Sequence, residues 1–344
     1  MEFNISDVKI SRDGPPKLIA EIGINHFGDL KLAKKLAKLA IKSGAHIIKH
    51  QTHFVDDEMS LESKDWVVEY FGKSIFDLMN ENSLNKDQEI KLKKYVEDLG
   101  AVYLSTPFSR QAANFLNEIK VPAFKIGSGE CNNYPLVEHI ASFKKPIILS
   151  TGMNDMKSIK TSVDIIKSKK TPFALMHTTN SYPTDHKFVR LGAFMQLKRF
   201  FKSCPVGLSD HTTDNLACFS GLALGADLLE RHFTDNIKRK GPDISCSMTP
   251  KQCKDLVDSI PKIFSMRGGY KKLSSTEKEV AKFAFASVVA TKNIEPNQVL
   301  TKNNIWVRRP STGDFNAKDY FKLIGKKVKK KILKNTQIKK SHFK

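Results

Sequence analysis

Two histidines stand out by type and spacing: His211 in Gly207-Leu208-Ser209-Asp210-His211-Thr212 and His232 in Leu229-Glu230-Arg231-His232-Phe233. Each follows or closes a short apolar run that reads as a strand, and one helix-length segment separates the two runs. In a parallel α/β barrel that spacing makes the strands neighbours, with both imidazoles at the C-terminal edge. Two imidazoles on one rim suit a divalent metal, with positions left open for water or substrate. Lys49 and Lys125 fall at strand positions where an interior ammonium needs an anionic partner. Near them fall Thr106, Ser128, Ser150 and Ser209. Hydroxyls, loop amides and ammonium groups together make a cradle for phosphate and carboxylate. Glu21 and Glu130 are acids on the same rim. Either can orient water or move its proton, and either can instead pair with Lys49 or Lys125. His26, His50, His53 and His177 read as supporting or structural residues. An inward lysine also suits Schiff-base chemistry of the aldolase type, but that chemistry leaves the paired histidines without a role.

These groups need a scaffold that brings strand ends together. Short apolar, often β-branched runs recur at Leu18–Ile22, His46–Gln51, Val102–Thr106, Ala123–Ile126, Ile147–Ser150, Phe173–Thr178, Val206–Ser209 and Leu228–His232. Helical patterns separate them. Leu30 to Ser43 places Leu32, Leu36, Leu39 and Ala40 on one face before Gly44, and Lys86 to Leu99 stops at Gly100. Eight such units in about 250 residues predict a closed (β/α)8 barrel over residues 1–266. Met59 to Glu81 is an insertion after the second strand, hence on the functional rim. Residues 267–283 read as a polar linker. Beyond it, short β-like pieces punctuated by Pro296-Asn297, Asn303-Asn304 and Pro310-Ser311 predict a small, mostly β domain over residues 284–344.

Composition narrows the class. With 344 residues, 40% hydrophobic, the chain can bury a large core, yet no apolar run reaches the roughly 18 residues of a membrane span. Five cysteines without a C-x-x-C pair, and an N-terminus without a secretory pattern, lead to the expectation of reduced thiols in the cytoplasm. The net charge of +21 is concentrated toward the C-terminus, where residues 318–344 hold eleven lysines and one acid. Lysine is used there instead of arginine, without interleaved aromatics, so a solvated surface is expected and no nucleic-acid partner.

The longer motifs add a resemblance. Glu21-Ile22-Gly23-Ile24-Asn25-His26, Lys49-His50-Gln51-Thr52-His53, Ser105-Thr106-Pro107-Phe108-Ser109, Lys125-Ile126-Gly127-Ser128-Gly129-Glu130 and Gly207-Leu208-Ser209-Asp210-His211-Thr212 occur in order, followed by Trp306-Val307-Arg308-Arg309-Pro310. From about Leu18 to Lys339 the chain resembles bacterial sialic acid (N-acetylneuraminate) synthases. That resemblance implies a TIM barrel followed by an antifreeze-like SAF domain. It implies condensation of phosphoenolpyruvate with N-acetylmannosamine and water, releasing phosphate. It implies a divalent metal on His211 and His232, usually Mn2+, with Mg2+ or Co2+ as substitutes. Ligands of phosphoenolpyruvate match Lys49, Thr106, Lys125, Ser128, Ser150 and Ser209. Sugar contacts match Gln51, Asn180, Tyr182 and Asp243. A domain-swapped homodimer is implied, with Arg309 reaching the other barrel. One stretch departs from the pattern: where the relatives carry a Pro-Gly-Asn-Ala loop, this chain reads Trp66-Val67-Val68-Glu69-Tyr70-Phe71-Gly72-Lys73. A bulkier, more apolar loop suits a deoxygenated acceptor, such as the 2,4-diacetamido-trideoxy precursor of legionaminic acid. A non-catalytic carbohydrate-binding protein is a further alternative, although it gives the two lysines and two histidines no joint task.

Overall fold

The structure, a computed structural model, describes residues 2–344. Eight parallel strands close into a barrel in chain order: Lys17–Gly23, Ile47–Thr52, Val102–Pro107, Phe124–Ile126, Ile147–Ser150, Phe173–Thr178, Val206–Asp210 and Leu228–His232. The eighth pairs with the first, Glu230 opposite Ile19 and His232 opposite Glu21. Every strand expected from the apolar runs is present.

The helices between strands begin where local chemistry satisfies their free amides. Asp29 accepts from the backbone N–H of Lys31 at the start of Leu30–Lys42. Asn85 and Gln88 form a reciprocal capping box at the start of Lys86–Asp98. Leu30–Lys42 buries Ala33, Leu36, Ala37 and Ala40 against the barrel, and Gly44 follows with φ +93°, the left-handed geometry that lets the chain turn away.

Inside the barrel the lower half is apolar. Ile19, Ile47, Leu104, Ile148, Met176 and Leu228 point inward and pack together. An N-terminal hairpin, Glu2–Ile5 with Val8–Ser11, closes this end by adding Phe3, Ile5 and Ile10 to the same cluster. The hairpin was not expected from the sequence, although Phe3/Ile5 and Val8/Ile10 alternate about a two-residue turn. Its strands are only four residues each, too short to stand out as a pattern. Arg12 ties it down by donating to the carbonyls of Lys198, Phe201 and Cys204 at 2.9–3.0 Å.

The insertion after the second strand begins with the helical turn Val55–Glu58. It continues through a 3-10 turn at Leu61–Lys64, a ribbon of Val67–Val68 against Lys73–Ser74, and a helix at Ile75–Asn82. Trp66 and Tyr70 on it are exposed.

The chain divides into two compact units, Met1–Gly268 and Gly269–Lys344. In the second, Ser287–Ala290 pairs antiparallel with Ile305–Arg308 around a core that includes Val288, Leu300, Tyr320 and Ile338. The stretch read as a linker is not wholly irregular, because it carries the helix Lys278–Ala284. Ser274 and Glu277 exchange backbone-to-side-chain bonds just before it, and this Ser-x-x-Glu signal was overlooked. All five cysteines are buried and free. Among the described residues no helix is long and apolar enough to cross a membrane.

Candidate active site

Side chains alternate across a strand, so residues two apart share a face. Above the apolar layer, the inward positions turn polar: Lys49 and Gln51, Thr106, Lys125, Ser150, Ser209 and His211, Glu230 and His232. With Ser128, Asn180 and Tyr182 from the rim loops they line one cavity of about 130 Å³ at the C-terminal end of the barrel.

Its floor is a row of buried charges. The Lys49 ammonium lies 2.7 Å from Glu21 and 3.5 Å from Glu230. Lys125 donates to both oxygens of Glu230 at 2.9 Å. Ser209 donates to Glu230 at 3.1 Å, and Lys49 reaches the Thr106 hydroxyl at 3.4 Å. Burial disfavours charge here, and pairing offsets that penalty. Burial alone would lower Lys49, but Glu21 and Glu230 raise it above the usual lysine value. For Lys125 burial wins, with Lys49 beside it, and the ammonium is brought down to about 8 despite Glu230. Glu230 would be raised by burial, yet Lys125 and Lys49 hold it well below an ordinary carboxyl.

The wall holds the two histidines, with ring centres 5.3 Å apart. His211 Nδ1 lies 2.8 Å from the carbonyl of Thr179, which makes that nitrogen the donor and leaves Nε2 with a free lone pair. Burial, reinforced by His232, lowers His211 to about 3, so its ring is neutral. His232 Nδ1 is buried without a hydrogen-bond partner, its nearest acid being Asp243 at 3.4 Å. One ring nitrogen free to accept and one left unsatisfied fit a metal ion. Among the described residues no group of three His, Cys, Asp or Glu side chains is placed to hold one unaided, so an ion held there would need water or substrate to complete its coordination. Between these residues on the strands lie outward ones. Arg231, fully buried, binds Asn215, the Thr212 carbonyl and Asp210, which fixes the loop that carries His211.

Tyr182 covers the histidines, 4.2 Å from the ring of His211 and 5.9 Å from that of His232. Asn180 donates to the Tyr182 hydroxyl, and its own buried carbonyl oxygen has no partner. That oxygen occupies space that only a glycine leaves open: a Cβ on Gly152 would lie 1.9 Å from it. Asp243 and the amide of Gln51 converge at Gly23, where a Cβ would lie 3.5 and 3.3 Å from them.

Two expected residues lie elsewhere. Glu130 is on the loop after the fourth strand, outside the cavity lining; it accepts from Asn133 at 2.6 Å, and burial, with Glu58 nearby, raises its carboxyl. Arg309 belongs to the second unit, where it is exposed. Of the other histidines, His26 and His50 face each other at 3.0 Å behind the second strand, and His177 binds the Val189 carbonyl. Glu230 was missed by sequence reading as the partner of Lys125. The signal was available, because it is two residues before His232 and therefore shares its inward face.

Comparison with known proteins places this arrangement. The NeuB family model matches residues 36–272, and the SAF domain model matches residues 285–344. The chain belongs to the NeuB family. Relatives include the N,N'-diacetyllegionaminic acid synthase of Campylobacter jejuni, 34% identical over 90% of this chain and 94% of that protein. They also include the human N-acetylneuraminate-9-phosphate synthase, 32% identical over 91% of this chain and 89% of that protein. Among solved structures, the sialic acid synthetase of Leptospira borgpetersenii aligns with a TM-score of 0.75 and 30% identity, covering 81% of this chain and 95% of that one. NeuB-family relatives are thus sugar-acid synthases that share the barrel, and the second unit is a SAF domain.

Proposed function

We propose that the protein condenses phosphoenolpyruvate with N-acetylmannosamine and water to give N-acetylneuraminate and phosphate. The observation that supports this reading best is the pair of buried ammonium groups, Lys49 and Lys125, sharing a single cavity with His211 and His232. Lys49 and Lys125, with the hydroxyls of Thr106, Ser128, Ser150 and Ser209, bind the phosphate and carboxylate of the enolpyruvyl substrate. His211 and His232 would hold a divalent ion, Mn2+ or its Mg2+ or Co2+ substitutes, which when bound would supply Lewis-acid polarisation of the sugar aldehyde. Gln51, Asn180, Tyr182 and Asp243 orient the sugar so that its aldehyde carbon faces the enol carbon. A carbon–carbon bond forms there, water adds to the adjacent carbon, and the bond from that carbon to the phosphate oxygen breaks.

Of the two candidate acids, Glu21 is committed to Lys49 and Gln51, which suits a role in holding charge. Glu130, outside the cavity lining and hydrogen-bonded to Asn133, is not placed to take the proton of a water attacking there. In a swapped homodimer the exposed Arg309 of one protomer would reach the sugar at the other.

Lys125 makes the reading pH-sensitive. Its ammonium loses a proton near pH 8, so kcat/KM for phosphoenolpyruvate is expected to hold below about pH 8 and decline above it. A flat profile to pH 9.5 would remove Lys125 from the anion site.

The exposed Trp66 and Tyr70 favour one second reading, an acceptor of the 2,4-diacetamido-trideoxy type. Phosphate release measured with Mn2+, phosphoenolpyruvate and a sugar panel decides. Release with N-acetylmannosamine supports the first reading, and release with the trideoxy sugar alone supports the second. No release with any acceptor overturns both and leaves a carbohydrate-binding protein.

A further inference from the structure

Gln51 is useful as a sugar contact only if its amide points one way, because its two ends differ in hydrogen-bond sense. We infer that His53 is the positioning residue that, with Glu21, holds this orientation, acting from outside the cavity; the inference rests on the reading of Gln51 as a sugar contact. The Gln51 amide nitrogen donates to Glu21 at 2.9 Å. A carboxylate only accepts, so the opposite end of the amide, the carbonyl oxygen, must face away from Glu21. It faces His53 Nε2 at 3.1 Å. That nitrogen therefore carries a proton.

The other ring nitrogen, Nδ1, lies 2.8 Å from the Glu58 carboxylate, which again can only accept. The two contacts hold the ring from both sides. The ring has no freedom to tilt, because it stacks on Phe108 at 4.3 Å with planes 13° apart. Glu58 is itself held. Its neighbour Asp57 accepts from both the backbone and side-chain amides of Gln111, which pins the Val55–Glu58 turn to the start of the helix Arg110–Glu118.

The chain of partners thus runs from that helix through Glu58, His53, Gln51 and Glu21 to Lys49. Removing the donor at position 53 leaves the Gln51 oxygen facing no N–H. The amide keeps its nitrogen toward Glu21 but is then held at one end only, so it can swing about that contact. A sugar would meet an amide whose donor and acceptor are no longer held in one place. The second strand makes this arrangement possible, since Lys49, Gln51 and His53 share one parity.

His53→Phe keeps the stack and removes the donor, whereas His53→Gln keeps an N–H for Gln51. His53→Phe is expected to raise the KM for the sugar about tenfold, with kcat and the KM for phosphoenolpyruvate within about twofold of wild type. His53→Gln is expected to recover most of that loss. A second readout needs no turnover: the side-chain amide resonances of Gln51, identified by their absence in Gln51→Glu, are expected to be sharp in wild type and broadened in His53→Phe. An unchanged sugar KM, an equal rise in both KM values, no rescue by His53→Gln, or unaltered Gln51 resonances would each overturn the inference. If His53→Phe does not fold, Glu58→Gln carries the test with the same two readouts and a smaller effect in the same direction. If wild type turns over no sugar, the functional reading fails, and the resonances alone decide whether His53 orients Gln51.

Discussion

His211→Ala is expected to lower kcat by a factor on the order of 10³ or more and to strip bound manganese from the purified protein. Changes in outer residues around a metal cost roughly 10- to 100-fold by themselves, and removing a ligand costs more. The proposed ion would rest on the two ring nitrogens of His211 and His232, so losing one would halve the protein's share of the coordination. The backbone offers no replacement: the Thr179 carbonyl that orients His211 would itself be left without its donor. Metal content by mass spectrometry and phosphate release at saturating substrate measure the two consequences separately. Near-normal turnover with stoichiometric manganese would remove His211 from the site. Loss of turnover with full metal content would point instead to a contact with the sugar.

Glu230→Gln should produce the largest change in stability. The substitution keeps the size of the side chain and removes the one carboxylate shared by Lys125 and Lys49. Breaking a buried ion pair costs about 3–5 kcal/mol, because the remaining charge is left uncompensated. Glu21 still serves Lys49, but Lys125 has no other anionic partner within ion-pair distance among the described residues. The urea midpoint of the variant is therefore expected to fall markedly at pH 7. Added phosphoenolpyruvate or inorganic phosphate should restore part of the loss, since a bound anion supplies the missing negative charge. A midpoint that does not move, or a loss that no anion repairs, would mean that the two lysines do not form an anion cradle.

The fold was legible because each strand is a short apolar run and each helix has its own start or stop, such as Asp29 or Gly44. The site was legible as far as residue type and strand position carry it: lysines, histidines and hydroxyls at strand ends converge because a barrel brings strand ends together. Pairing was harder to read. Glu21 and Glu130 looked equivalent, and only the three-dimensional arrangement separates the one that binds Lys49 from the one that does not line the cavity. Glu230 lay next to a conspicuous histidine, and its parity with His232 was the unused clue. The N-terminal hairpin escaped because four-residue strands give too few alternations, and the Lys278–Ala284 helix because polar composition masked its cap.

The hairpin has a consequence for the order of events. Phe3, Ile5 and Ile10 cap the apolar layer that already fills the lower barrel, so the base is closed twice over and the polar cavity lies toward the C-terminal mouth. The lysines sit about two residues deeper along their strands than the histidines, nearer the blind end. On the proposed reading, an anion settling on the lysines would have to enter before the sugar and could not leave past it, so traffic through this mouth would be last in, first out.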